Sequence, residues 1–167
     1  MSAIKFKSTT KEIDKGFARA MEEAGFAAGK SHVKVGVLSK DGSEDRGNIT
    51  LAGIASVHEF GSADGRIPSR SWMRSTLEEK QKKIYQFSFA IISRVILGKT
   101  SIRKGLNAIG VMLSSEFRNK INTLQTPALK VSPRKPQGGT NPLVDTGRLR
   151  NSQGHQTVLK KRKVRVK

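Results

Sequence analysis

The chain has 167 residues, of which 35% are apolar and 5% aromatic, and it carries a formal charge of +19. This length fits one domain with a lean core. There is no cysteine, which excludes disulfides and thiolate chemistry, and His32, His58 and His155 do not form a local pair of metal ligands. We therefore expect no metal and no cofactor.

The apolar runs are far shorter than the ~18 residues of a membrane span, and the first residues lack the apolar core of a signal peptide. We expect a soluble protein that is made in the cytoplasm and does not contact a membrane. The excess charge is uneven, because residues 1–98 hold 16 basic and 11 acidic groups and residues 99–167 hold 16 and 2. The net charges are thus +5 and +14, which predicts an acidic partner such as DNA or an acidic protein surface.

The first half of the chain alternates helix and strand signals. A Thr9-x-x-Glu12 capping box and apolar residues at helical spacing predict a helix over residues 9–30. Residues 33–38 alternate as in a half-buried strand, and residues 40–48 have the composition of an exposed loop. A short helix is predicted over residues 51–59, with Leu51, Ile54, Ala55 and His58 on one face.

Two long helices are predicted next. Residues 66–70 run extended because Ile67 precedes a proline, and a Ser75-x-x-Glu78 capping box then opens a helix that ends at Gly98. Apolar residues from Ile102 to Leu124 recur every three or four positions and predict a second helix, folded back on the first as an antiparallel hairpin.

Gly105 and Gly110 lie inside the second of these helices, where each costs about 1 kcal/mol in helix propensity. We expect them to permit a close crossing or a kink.

The last part of the chain changes in composition. Residues 126–142 contain four of the five prolines, and residues 157–167 alternate weakly, as in an edge strand or arm. We expect an α+β fold in which a small, few-stranded antiparallel sheet, including residues 33–38 and the region after 153, packs against two long helices. Residues 1–125 would form the core with its N-terminal helix, and residues 126–167 a proline-rich loop and an extended basic C-terminal arm of the same domain.

Two motifs stand out from this background. The first is VHEFG at 57–61 followed by IPSRSW at 67–72, and the second is NPLVDTGRLRNS at 141–152. In this order, and separated by a long helical region, they resemble the tail-completion and virion-morphogenesis proteins of tailed phages and prophages. The resemblance covers roughly residues 33–158. Ser71-Trp72 stands where that family more commonly has proline and phenylalanine, and Gln153-Gly154 follows where it has an apolar residue.

The resemblance implies a structural virion protein rather than an enzyme. It implies a homo-oligomeric, hexameric ring in the neck of the particle, made in the host cytoplasm and placed at the head-tail junction. Its neighbours would be connector or adaptor proteins and the tail terminator or tail tube. The candidate interface residues are His58, Glu59, Phe60, Gly61, Ile67, Pro68, Arg70, Trp72, Asp145, Thr146, Gly147, Arg148 and Leu149.

The residue types suggest physical roles for these motifs. Arg70, held by an extended segment, is expected to bond a carboxylate such as that of Glu59. Asp145 is expected to accept hydrogen bonds from the amides of Gly147 and Arg148. Two interpretations stay open: the motifs stabilise the monomer, or they contact neighbouring subunits.

A catalytic interpretation finds little support. Ser69, His58 and Asp145 are the residue types of a triad, but the sequence has no nucleophile elbow, no phosphate-binding glycine loop and no H-E-x-x-H motif. A toxin or nuclease is therefore the least favoured class.

A run of cations closes the chain. Such a run favours contact with DNA phosphates or with an acidic protein, and the absence of interleaved aromatic residues argues against base stacking. A basic DNA-binding or packaging accessory protein is the alternative function. The residues concerned are Lys160, Lys161, Arg162, Lys163, Arg165 and Lys167.

Overall fold

The computed structural model describes residue 25 and residues 30–38, 45–46, 49–125, 143 and 147–160. Within this part of the chain the protein is an α+β domain: a two-stranded antiparallel sheet packs against a helical hairpin, which confirms the expected fold class. Nearly all of the helix predicted over 9–30, and the proline-rich residues 126–142, lie outside the described residues. In chain order the elements are β1 (His32–Val37), β2 (Asp45–Arg46), β3 (Ile49–Thr50), α1 (Leu51–Phe60), α2 (Met73–Glu79), α3 (Gln81–Ile96), α4 (Ile102–Thr123), α5 (Arg148–Asn151) and β4 (Gln153–Val158).

The main sheet joins two segments that are far apart in sequence. β1 pairs antiparallel with β4, from His32 opposite Val158 to Val37 opposite Gln153. The strand predicted at 33–38 and the one predicted after residue 153 are therefore both present, and they are partners. A second, much shorter ladder joins β2 to β3, within and just after the segment expected to be loop.

Side-chain caps fix the starts of α1 and α4. The hydroxyl of Thr50 accepts a hydrogen bond from the Gly53 amide at 3.1 Å, and that of Ser101 accepts one from the Lys104 amide at 3.4 Å. Each bond satisfies one of the amides that a helix start leaves without a partner. The predicted starts of these two helices are confirmed.

The helix predicted from Ser75 to Gly98 is wrong in two respects. It begins earlier, at Met73, and it is interrupted at Lys80, so that α2 and α3 are separate helices. Ser75 is not a cap, because it lies in the first turn of α2 and its hydroxyl donates to the carbonyl of Ser71.

The helical hairpin is antiparallel, as expected. Ion pairs join Glu79 to Lys120 at 2.5 Å and Lys83 to Glu116 at 2.6 Å. From the first pair to the second the residue number rises on one side, from 79 to 83, and falls on α4, from 120 to 116, as it does when two segments run antiparallel. At the other end of the hairpin, a Cβ atom added to Gly105 would lie 3.0 to 3.1 Å from methyl groups of α3. Gly105 therefore permits the expected close crossing.

Two clusters of buried side chains form the core. The tryptophan cluster centres on Trp72, which has no exposed surface and meets Phe117 edge to face with ring centroids 5.6 Å apart. Aromatic pairs of this geometry add about 1 kcal/mol to the gain from burial. The valine cluster lies between the start of α4 and the end of α3. Its members are Val95, Ile102 and Leu106, and those of the tryptophan cluster are Ala55, Trp72, Phe117, Ile121, Leu143 and Leu149.

Candidate functional site

The carboxylate of Glu59, in the last turn of α1, binds the amino end of α2. Its Oε2 accepts hydrogen bonds from the amides of Trp72 at 2.9 Å and Met73 at 3.0 Å. Its Oε1 accepts them from the Arg74 amide at 2.9 Å and the Ser71 hydroxyl at 2.7 Å. Trp72, the residue before the helix, supplies no side-chain cap. Glu59 therefore caps α2 from a distant position, with its negative charge at the positive end of the helix dipole.

The guanidinium of Arg70 does not bond Glu59 as expected, because it is not among the four donors to this carboxylate. The loop is tied to α1 through the backbone instead. The Arg70 amide donates to the His58 carbonyl at 2.7 Å, and the Ser69 hydroxyl donates to the Glu59 carbonyl at 2.8 Å. Arg70 itself is buried, with 4% of its surface exposed.

Burial and hydrogen bonding oppose each other at Glu59. Burial alone would raise its pKa, but the amides of Arg74 and Met73, the Ser71 hydroxyl and the Trp72 amide together hold the pKa below its ordinary value. Glu59 is only 2% exposed and yet is held as a carboxylate.

The neighbouring histidine is disfavoured as a cation. Burial, and after it the charge of Arg70, lower the pKa of His58. Its Nδ1 is buried and has no hydrogen-bond partner among the described residues. The hydroxyl of Ser69, the serine considered for a triad, is directed to the backbone carbonyl of Glu59.

The two motifs meet in the tryptophan cluster. Trp72 comes from the first motif, and Leu143 and Leu149 from the second; both leucines are at most 7% exposed. The hydroxyl of Ser152 donates to the Leu149 carbonyl at 2.9 Å, which holds the end of α5. Motifs some 80 residues apart in sequence thus stabilise one another through a shared core.

Each motif contains a glycine in the left-handed region. Gly61 ends α1 with φ 87°, and an added Cβ would lie 3.1 Å from the Ile67 carbonyl oxygen and 3.2 Å from the Ser69 nitrogen. Gly147 precedes α5 with φ 72°. Only glycine adopts such angles without strain, and at Gly61 the neighbouring backbone also leaves no room for a side chain.

The outer side of the first motif carries apolar groups in solvent. Phe60 is 70% exposed and Ile67 38%, and Pro68 beside it is also exposed. The Ser62 amide donates to the Ile67 carbonyl at 2.9 Å, which keeps the two ends of this loop together. We call Phe60, Ile67 and Pro68 the loop patch.

A second exposed apolar surface, absent from the sequence-based expectations, follows α3. Tyr85, Phe89 and Ile96 are 64% to 69% exposed, and the first two rings stack with centroids 6.3 Å apart. Their spacing of four and seven residues places them on one face of the helix, a signal that the sequence contains. We call these three residues the α3 stripe.

Other predicted site residues are less informative. Arg148 is partly buried in the first turn of α5. Of the basic run only Lys160 is described, and its amide donates to the Ser31 hydroxyl at 3.0 Å. Asp145, Thr146, Lys161, Arg162, Lys163, Arg165 and Lys167 lie outside the described residues.

The chain matches no protein-family model, no curated protein and no solved structure. Within the described ranges, no three histidine, aspartate or glutamate side chains are grouped as metal ligands would be. No helix in the same ranges combines the length and hydropathy needed to cross a membrane.

Proposed function

We propose that the chain is a structural subunit of a tailed-phage or prophage particle, assembling into a ring at the head-tail junction rather than catalysing a reaction. The observation that carries this proposal is the contrast between neighbours in the first motif. Glu59 is 2% exposed and fixed by four hydrogen bonds, whereas Phe60 beside it is 70% exposed. An aromatic side chain that is held in solvent at a fixed helix end has the form of an interface anchor.

Burial supports a different role for different residues of the motifs. Trp72 and Leu149 are buried in the core, and Gly61 and Gly147 set the backbone, so these residues stabilise the subunit itself. The loop patch contributes little to the core of its own subunit. It is therefore the part of the motifs that is available to a neighbour.

A ring with head-to-tail contacts needs two different complementary surfaces on each subunit. The loop patch and the α3 stripe are two such surfaces, on different elements, and each carries large apolar side chains in water. We propose that the loop patch of one subunit packs against the α3 stripe of the next. Covering both would remove most of the exposed aromatic surface of the described residues.

The sixfold symmetry, the connector or adaptor on one side and the tail terminator or tail tube on the other are proposed from the resemblance of the motifs. In this proposal the subunit is made in the host cytoplasm and becomes part of the virion.

The test is the solution mass of the full-length protein and of two matched variants. Phe60→Ser removes the anchor of the loop patch, and Val111→Ser removes an apolar side chain that is 51% exposed but belongs to neither surface. We expect wild type and Val111→Ser to form a defined oligomer and Phe60→Ser to be a folded monomer, by light scattering and circular dichroism.

Two results would contradict the proposal. One is a wild-type protein that remains monomeric throughout the micromolar range. The other is a Phe60→Ser variant that keeps the mass of the wild-type oligomer.

A further inference from the structure

An open cleft of about 520 Å³ lies between the amino-terminal half of α4 and strand β4. All the side chains that line it are polar or charged. No carboxylate lies among them. The lining residues are Arg103, Lys104, Asn107, His155, Gln156 and Thr157.

Among the described residues, none neutralises the charge of this cleft. Arg103 and Lys104 form no ion pair with any described residue. Neither β1 nor β4 contains an acidic residue, and the first one in α4 is Glu116, whose carboxylate is paired with Lys83. The described residues therefore give the cleft a positive potential, which attracts anions.

The polar groups of the cleft are already held in place. Nε2 of His155 and Oδ1 of Asn107 lie 2.8 Å apart in a hydrogen bond between strand and helix. The hydroxyl oxygen of Thr157 is buried and has no partner among the described residues, so it lies below the surface that a ligand in the cleft would touch.

The side chains that line the cleft indicate which class of ligand it binds. Each of the side chains that line the cleft carries a polar or charged group, and two of them are cations. Arginine, lysine, asparagine, glutamine and threonine side chains are the groups that proteins direct at nucleic-acid phosphates. No phenylalanine, tyrosine or tryptophan lines the cleft, so it offers no stacking surface for bases.

We propose that this cleft binds the phosphate backbone of duplex DNA without reading its sequence. Arg103 and Lys104 neutralise phosphates. The site is independent of the ring, because none of its residues belongs to the loop patch or the α3 stripe.

The experiment measures affinity for a short duplex by fluorescence anisotropy over a range of salt concentrations, with full-length protein. The cleft variant is Arg103→Gln with Lys104→Gln. The control, Lys80→Gln with Lys82→Gln, removes the same charge from exposed positions at the start of the hairpin. We expect the cleft variant to lower the slope of log affinity against log salt by about two, one for each lost phosphate contact. The control should leave that slope close to the wild-type value.

Other outcomes overturn the proposal. Equal losses in the cleft variant and its charge-matched control would mean that only net charge attracts DNA. If polyglutamate of equal charge displaced the duplex as effectively as unlabelled duplex does, the site would be one for an acidic protein. Absence of binding at low salt would also refute it.

Discussion

The two halves of α4 differ in what they contact and in how their charges are used. In the carboxyl-terminal half, Phe117 and Ile121 are buried in the tryptophan cluster, and Glu116 and Lys120 form ion pairs with the facing helices. The amino-terminal half packs on the sheet and on α3, and its cations have no acidic partner among the described residues. One end of this helix is thus built for the stability of the subunit, and the other leaves its charges available to a ligand.

Both glycines of α4, Gly105 and Gly110, lie in its amino-terminal half. An added Cβ at Gly110 would lie 2.5 Å from Cδ2, 2.6 Å from Cγ and 2.9 Å from Cβ of His155. This contact brings β4 against the helix and forms one wall of the cleft. Gly110 therefore permits a close approach of helix and strand, in addition to the helix crossing at Gly105.

The largest effect is expected at the stable end. Trp72→Ala should lower the free energy of unfolding by about 3 to 5 kcal/mol, because it removes a fully buried indole that contacts both motifs. Chemical denaturation measures this loss. Tyr85→Ala is the control, since that ring is 69% exposed, and it should change the stability of the monomer by less than about 0.5 kcal/mol. Similar losses of unfolding free energy in the two variants would contradict the assignment of Trp72 to the core and of Tyr85 to the outer surface.

The next largest effect is expected at the cap of α2. Glu59→Gln keeps the shape of the side chain but turns an amide group toward the donors of α2, and it should cost about 2 to 4 kcal/mol in unfolding free energy. Glu78→Gln, at an exposed position of the same region, should be nearly neutral. If both variants were equally stable, the carboxylate would not be the cap.

The same variant has a predicted pH dependence. The pKa of Glu59 is lowered on folding, so its contribution is fully present above the pKa of the unfolded state and is lost as the pH falls through the pKa of the folded state. The difference in stability between wild type and Glu59→Gln should therefore narrow in acid. A difference that widens in acid would mean that the pKa is raised instead.

A smaller effect is expected from the glycines of α4. Gly110→Ala should destabilise by about 1 to 3 kcal/mol, because the His155 atoms it meets are close to the strand backbone and cannot move aside easily. Gly105→Ala meets only two side-chain methyl groups at 3.0 to 3.1 Å, so the gain of about 1 kcal/mol in helix propensity largely offsets the contact. Thermal melts of the two variants give the comparison, and equal melting temperatures would contradict it.

The smallest effect is expected from the ion pairs. Lys120→Met removes the bond to Glu79, whose side chain is 53% exposed, and should cost less than about 1 kcal/mol. The loss should shrink in high salt. A loss as large as that of Trp72→Ala would show that charge rather than apolar burial holds this end of α4.

Local signals predicted much of this fold. Period-two alternation found β1, and the recurrence of apolar residues every three or four positions found α1 and α4 with their starts, because both signals depend on residues close in sequence. The position of β4 was expected from the resemblance. The start of α2 was missed because its cap, Glu59, is 14 residues away from Met73, and only the fold brings them together. The buried face of α1 was also predicted wrongly, because the amides that bind Glu59 are far from it in sequence. Glu59, not His58, continues the buried stripe of Leu51 and Ala55.

The sequence predicted the two motifs of the candidate site but not the cleft. The resemblance selected the two motifs, and the structure brings them into one core. The cleft could not be found from sequence, since Lys104 and Thr157 become neighbours only through the packing of β4 on α4.

The measurement that tests the central claim most directly is the location of this chain in assembled particles. Mass spectrometry of purified virions, with electron microscopy of particles carrying a tagged copy, gives its presence, copy number and position. The account predicts a ring of copies at the head-tail junction and tailless heads when the gene is deleted. Virions that lack the protein and are complete without it would contradict the account.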